Sequence, residues 1–116
     1  MLVIHYPKCT TCQKALKWLD DHNIKYDQRD IKLDNPSYTE LKKWYKASNL
    51  ELKRFVNTSG LLYKSMNLKD KLPTMSEDEI LKLLATDGML VKRPLVISDK
   101  VILTGFKEKE WETLTK

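Results

Sequence analysis

The apolar positions change their spacing several times along the chain, and each spacing predicts an element. Leu2–Tyr6 is a nearly unbroken apolar run, the pattern of a buried strand, and Pro7 and Lys8 end it. From Thr10 to His22 the period becomes helical. Cys12, Ala15, Leu16 and Leu19 recur at i, i+3, i+4 and i+7 and give one apolar face. Asn23 is placed to cap that helix at its C-terminus. Lys25–Ile31 alternates weakly, as a second strand does. A helix that joins neighbouring strands makes them parallel, with a right-handed crossover. The opening therefore predicts a βαβ unit.

The middle of the chain predicts helices. In "NPSYTELKKWYKAS" a Ser or Thr cap precedes Leu41, Trp44 and Tyr45 at helical spacing. "NLELKRFV" predicts a short helix that stops near "NTSG". That stop reads as a turn in which Gly60 supplies a backbone angle other residues resist, with a nest of N–H groups for an anion as the alternative. "SMNLKDKLP" reads as loop with a turn of helix at most. In "MSEDEILKLLATDG" Ser76 and Glu79 make a capping box, Ile80, Leu83 and Leu84 form the core face, and Gly88 ends the helix. The period then shortens. "RPLVISDKVILTGF" holds two β-rich runs around Ser98-Asp99-Lys100, the spacing of a hairpin. "KEKEWETLTK" predicts a closing helix with Trp111 and Leu114 facing inward. Trp18, Trp44 and Trp111 all fall on helices and read as packing residues.

Charge narrows the function classes. The 116 residues carry a net charge of +5. Lysines are interleaved with acids, as in "KWLDDHNIKYDQRDIKLD", and no basic stripe runs along the chain. That dispersion argues against direct nucleic-acid binding. No segment approaches the ~18 apolar residues of a membrane helix. "MLVIHYP" lacks a basic leader and a small-residue cleavage site, so the expected compartment is the cytoplasm.

The two cysteines, Cys9 and Cys12, then stand out, because they lie between a predicted strand and a predicted helix. C-x-x-C has three physical readings. A structural zinc site needs four nitrogen or sulfur ligands, and the only further candidates are His5 on the strand and His22 at the helix end. No metal or cofactor is expected. A structural disulfide across so short a loop removes only about 2 kcal/mol of chain entropy and is uncommon in the cytosol. A redox pair needs a strand–turn–helix setting, which this sequence has. The N-terminus of a helix carries exposed N–H groups and partial positive charge, so a thiolate there is favoured. Cys9, at the helix entry, is the expected nucleophile. Cys12, one turn in on the apolar face, is the expected resolving thiol. Lys8 and Lys14 could add favourable charge. Thr10 and Thr11 either cap the helix or hydrogen-bond to the thiolate.

"KRPLVI" places Pro94 immediately before a strand. It is either a strand boundary or the second half of a cis Arg93–Pro94 bond that faces the cysteines.

With βαβ followed by ββα, CxxC at the first helix and a proline before the third strand, the chain resembles the thioredoxin fold. "YPKCTTCQKALKWLD", "FVNTSGLLYK" and "DGMLVKRPLVI" make it similar to the arsenate reductase-like family, which includes ArsC and Spx/MgsR proteins. The resemblance implies an α/β fold with a four-stranded mixed sheet. It implies one domain over residues 1–116, with a helical insertion at about 35–90. It implies catalytic roles for Cys9, Cys12 and Arg93, with Thr10, Thr11 and Pro94 in support. The expected partner is a cellular thiol system, thioredoxin or glutaredoxin with glutathione, which reduces the pair again.

Two narrower branches follow from the same resemblance. Arsenate reductases of the family hold the oxyanion with three arginines. One matches Arg93. Where the second falls this chain has Asn57, and "LTGFKEKE" has no arginine for the third. Only Arg29 and Arg54 remain, and a lysine does not replace a bidentate guanidinium. The Spx branch implies a redox-sensing regulator that binds the α subunit of RNA polymerase, yet "YKASNLELKRF" lacks the glycine expected in that surface.

Overall fold

The computed structural model describes residues 1–115. Strand β1 (Leu2–His5), helix α1 (Thr10–Asp21) and strand β2 (Asp27–Asp30) form the βαβ unit, and β2 runs parallel to β1 with Leu2 opposite Asp27 and His5 opposite Asp30. Asn23 takes the left-handed conformation, φ 56°, and its N–H returns to Asp20 O at 3.1 Å, ending α1 where the sequence places the stop. Strand β2 is shorter than the alternation suggests, and its residues are exposed or half-buried, because it is an edge.

After β2 the chain is helical as far as residue 90. Helix α2 (Tyr38–Ser48) opens on a Ser37–Glu40 capping box. "LKRF" closes into a 3₁₀ turn, Leu52–Phe55, rather than an α-helix. Two short helices that the sequence left as turn or loop follow, α3 (Leu61–Ser65) and α4 (Leu68–Lys71). Each is too short to show a period, so periodicity misses it. Helix α5 (Glu77–Leu84) has the predicted Ser76–Glu79 box. Its fully inserted residues are Leu81 and Leu84, whereas Ile80 and Leu83 are only half-buried, so the core stripe is rotated from the expected one.

Gly88 does not end α5. It opens a 3₁₀ turn, Gly88–Leu90, four residues beyond Leu84. Glycine is required there for space: a Cβ would lie 1.7 Å from Ile31 O. Gly60 also departs from expectation. Its φ of −83° suits any residue, and what it provides is room beside Asn57, whose Nδ2 a Cβ would approach at 2.7 Å.

Strands β3 (Leu95–Ile97) and β4 (Ile102–Thr104) form the predicted hairpin, closed by Ser98 N–H donating to Val101 O at 3.2 Å. The sheet order is β2-β1-β3-β4, with β3 antiparallel to β1. The chain is therefore an α/β fold with a four-stranded mixed sheet, as expected. The closing helix is one turn, α6 (Glu108–Trp111), continued by a 3₁₀ turn to Thr115. Lys116, the last residue of the predicted helix, lies outside the described residues.

Side chains of a strand alternate between faces, and here they divide the core in two. Ile4, Leu95 and Ile102 face the helices of the middle segment, with Phe55 and Leu84 behind them. Val3, Val96 and Leu103 face α1 and Trp111. Trp111 is fully buried, donates from its indole to Gly105 O at 3.1 Å, and meets Trp18 and Phe106 edge-on. Gly105 supplies that carbonyl from a φ of 72°, which an L side chain resists.

Candidate functional site

The strand directions bring the chemistry to one end of the sheet. Cys9 follows the C-terminal end of β1. Leu95 pairs with Ile4 and Thr104 pairs with Leu95, so the start of β3 and the end of β4 reach that same end. Segment 55–57 is tied alongside 90–92: Lys92 N–H donates to Phe55 O and Asn57 N–H to Leu90 O, both at 2.8 Å. Residues 33 and 37 positions apart in sequence thereby lie side by side.

Cys9 is the N-cap of α1, with extended backbone. Its N–H donates to Tyr6 O at 3.0 Å, and its carbonyl accepts the first helical bond from Gln13 at 3.0 Å. The side chain is half-buried. Burial alone pushes the thiol up, but the Cys12 N–H, the Arg93 guanidinium and the Cys12 thiol all favour the thiolate, and the result lies below the ordinary value. Cys12 is in the opposite position. It is completely buried on the apolar face of α1. Burial and the neighbouring Cys9 push its thiol up to about 12, against the one N–H, from Tyr6 at 3.5 Å, that meets its sulfur. Both sulfurs are free thiols.

Arg93 is fixed behind Cys9. The Arg93–Pro94 bond is cis, the second of the two sequence alternatives. The guanidinium lies 5.2 Å from the Tyr6 ring centroid and Nη1 is 3.9 Å from Met89 Sδ. Its Nε is buried with no hydrogen-bond partner among the described residues. The favourable charge at Cys9 thus comes from Arg93. Lys8 and Lys14, the lysines nearest in sequence, are exposed. Thr10 and Thr11 are exposed, and Cys9 itself takes the capping position, so neither hydroxyl caps the helix. Thr11 borders the cleft described next, and Thr10 does not.

A cleft of ≈ 560 Å³ opens over Cys9. Asn57, Thr58, Ser59 and Gly60 form one wall, and Thr104, Gly105 and Phe106 form the other. Lys53, Arg54, Lys92, Arg93 and Lys107 line it against a single carboxylate, Glu51. The lysines and Thr104 escaped the sequence reading. Lys92 and Lys107 carry a signal in principle, since they flank the two strands whose register delivers them here. Lys53 carries none, because its position depends on the long-range pairing of 55–57 with 90–92. Among the described residues, no three or more His, Cys, Asp or Glu side chains are grouped to hold a metal ion. His5 is buried in β1 and bonds Gln28 at 3.1 Å, and His22 stacks on Trp18. Among the described residues no helix is long and apolar enough to cross a membrane.

The chain is similar to known proteins over nearly its whole length. The chain is 52% identical to the uncharacterized protein YusI of Bacillus subtilis over 107 residues, 92% of this chain and 91% of that protein. It is 29% identical to the regulatory protein MgsR of Bacillus subtilis over 111 residues, 96% of this chain and 86% of that one. A crystal structure of a protein described as ArsC family related, from Bacteroides fragilis, superimposes with a TM-score of 0.95 at 55% identity, covering 97% of this chain and 95% of that chain. The model of the ArsC family matches residues 4–114, a span that runs from β1 through the cysteines and the Arg-Pro pair to α6, and the chain accordingly belongs to the ArsC family.

Proposed function

We propose that the chain is a thiol–disulfide exchange protein of the cytoplasm. The observation that carries this reading is the division of labour within one helical turn: an accessible thiol favoured as thiolate at the mouth of a cleft, and a buried neutral thiol directly behind it. Cys9 Sγ⁻ attacks one sulfur of a substrate disulfide, forms a mixed disulfide and expels the other sulfur as a thiolate. The Cys12 thiol gives up its proton to that leaving thiolate or to water. Its sulfur then attacks Cys9 Sγ and releases the second half of the substrate. The substrate gains two electrons and the pair loses two. A dithiol reductant, thioredoxin or glutaredoxin with glutathione, restores the pair. Attack depends on thiolate fraction and on nucleophilicity, which move oppositely as the pKa falls.

Mild peroxide should convert the reduced protein to an intramolecular Cys9–Cys12 disulfide. Thiol titration and mass spectrometry of the cleaved chain read the outcome, and recovery of intermolecular dimers alone would refute it.

Arsenate is expected to be a poor substrate. A dianion entering the cleft loses hydration, and each charge-assisted hydrogen bond returns about 1.5–3 kcal/mol. Asn57 and the segment after β4 provide no guanidinium, and Glu110, at 3.1 Å from Arg54, cancels part of the charge of that one. Two absent guanidinium partners correspond to a loss of at least ~100-fold. Turnover with glutathione and glutaredoxin, or with thioredoxin, should stay near background, and Asn57→Arg alone should not restore it. Robust Cys9-dependent arsenate turnover would overturn this expectation.

The similarity to a regulatory protein over 96% of the chain favours a second reading. In it the same pair senses oxidation, and the chain binds the α subunit of RNA polymerase. A pull-down with the α C-terminal domain, using reduced and oxidised protein, separates the two.

A further inference from the structure

Sulfur exchange needs a thiolate and a resolving thiol, but not the charge that surrounds them. We propose that the cleft selects disulfides bearing carboxylates, and that Arg54, held by Glu110, is its specificity-determining residue. The proposal rests on the exchange reading and names the substrate class of that site.

Arg93 is committed to Cys9 and Tyr6. Lys53, Lys92 and Lys107 are not committed: among the described residues, no carboxylate lies within ion-pair distance of any of them. Their charges add in a shared concave space, where a field is focused rather than dispersed. Thr104 is 2% exposed, lines the same cleft, and its Oγ1 has no hydrogen-bond partner among the described residues. A buried hydroxyl without a partner is uncommon in a folded protein, and this one belongs to a residue of the cleft wall.

Arg54 differs from the lysines. A single nitrogen, Nη2, meets both Glu110 oxygens, at 3.1 and 3.3 Å. Among the described residues, Nε and Nη1 have no hydrogen-bond partner. The pair bridges the Leu52–Phe55 turn to α6, which keeps the guanidinium at the cleft while leaving donors free for a second carboxylate. Glu110 both places this cation and cancels part of its charge. A volume of ≈ 560 Å³ suits a small molecule. With the reacting sulfur at Cys9, the carboxylates of a short-chain disulfide fall among these cations.

The test compares dithiodipropionate (anionic), bis(2-hydroxyethyl) disulfide (neutral) and cystamine (cationic) in single turnovers of the reduced full chain. Each rate constant is divided by that of a free neutral thiol with the same disulfide. The anionic disulfide should exceed the neutral one by about tenfold and the cationic one should trail, with the order flattening at high salt. Arg54→Gln should lower the anionic-to-neutral ratio about fivefold, since a partly exposed charge is discounted. Glu110→Gln should raise the ratio. Lys25→Gln, a control for net charge at the opposite end of the sheet, should leave it unchanged. Equal normalised rates for the three disulfides, or a ratio indifferent to Arg54→Gln in a protein of native circular dichroism, would overturn the proposal and leave exchange standing. If Arg54→Gln does not fold, Glu110→Gln and the salt series decide: a falling or unchanged ratio in the former, or salt-independence in the latter, overturns it. Cys9-independent or undetectable reduction of all three would overturn the exchange reading itself, and the selectivity with it.

Discussion

Cys9→Ser should abolish disulfide exchange, while Cys12→Ser should stop it halfway with a covalent product in hand. Serine offers no thiolate at neutral pH, so the first variant should fall by about 1000-fold or more, to the rate of a protein lacking reactive thiols. In the second, Cys9 still attacks, but nothing displaces the bound half of the substrate. The mixed disulfide should therefore accumulate and appear as a mass increase equal to that half. Cys9 in this variant should also be alkylated by iodoacetamide with a midpoint below that of an ordinary thiol, since Arg93 and the N–H at position 12 outweigh its partial burial. Identical behaviour of the two variants, or faster alkylation of Cys12 than of Cys9, would reverse the assignment of roles.

Gly88→Ala should be among the most destabilising single-methyl changes in the chain. The added carbon would meet Ile31 O at 1.7 Å and Ile31 C at 2.7 Å, both backbone atoms that no rotamer change can move aside. Ile31 is itself anchored, donating from its N–H to His5 O at 2.8 Å, so relief requires the Gly88–Leu90 turn to shift. Overpacking of this kind costs about 3 kcal/mol, which for a domain of this size lowers Tm by about 12 °C or more. Leu90 accepts from Asn57 and Arg93 lies three residues on, so the shift should also slow the reaction of Cys9. Urea and thermal unfolding read the first effect. Unchanged stability would mean that the turn and the end of β2 separate without cost.

What the sequence discloses here depends on the range of the interaction concerned. The βαβ opening, the hairpin and the capping box at Ser76 rest on neighbours in sequence, and they are legible. The cysteines stand out for the same reason: a strand end, a turn and a helix start are all local. Gly60 and Gly88 mislead because a glycine kept for space carries the same letter as one kept for its φ. Leu81 is missed because a two-turn helix has too few positions to fix the azimuth of its apolar stripe. The cleft is least legible of all. Its walls come from residues near 11, 57 and 105, and only the register of β1, β3 and β4, with the tie between 55–57 and 90–92, brings them together. Arg54 illustrates the point. In sequence it is an arginine three positions from Asn57. In the fold it faces a carboxylate 56 positions away.

Strand β2 has a consequence of another kind. An edge strand presents unpaired N–H and C=O groups, the template on which chains add to one another's sheets and aggregate. Here that edge reads Asp-Gln-Arg-Asp, with no apolar residue among the four. Arg29 folds back from it, donating to Asp34 O at 2.8 Å and to both Glu40 oxygens at 2.7 and 2.8 Å. The Arg29 guanidinium, ahead of lesser contributions from Ser37, holds the Glu40 carboxyl down at about 2, so the pair stays ionised even in strongly acidic compartments. A foreign strand seeking this edge would have to strip water from a row of fixed charges. The protein therefore carries its own guard against fibre growth on the side of the sheet away from the hairpin, and the Arg29–Glu40 pair within it stays charged when the surroundings acidify.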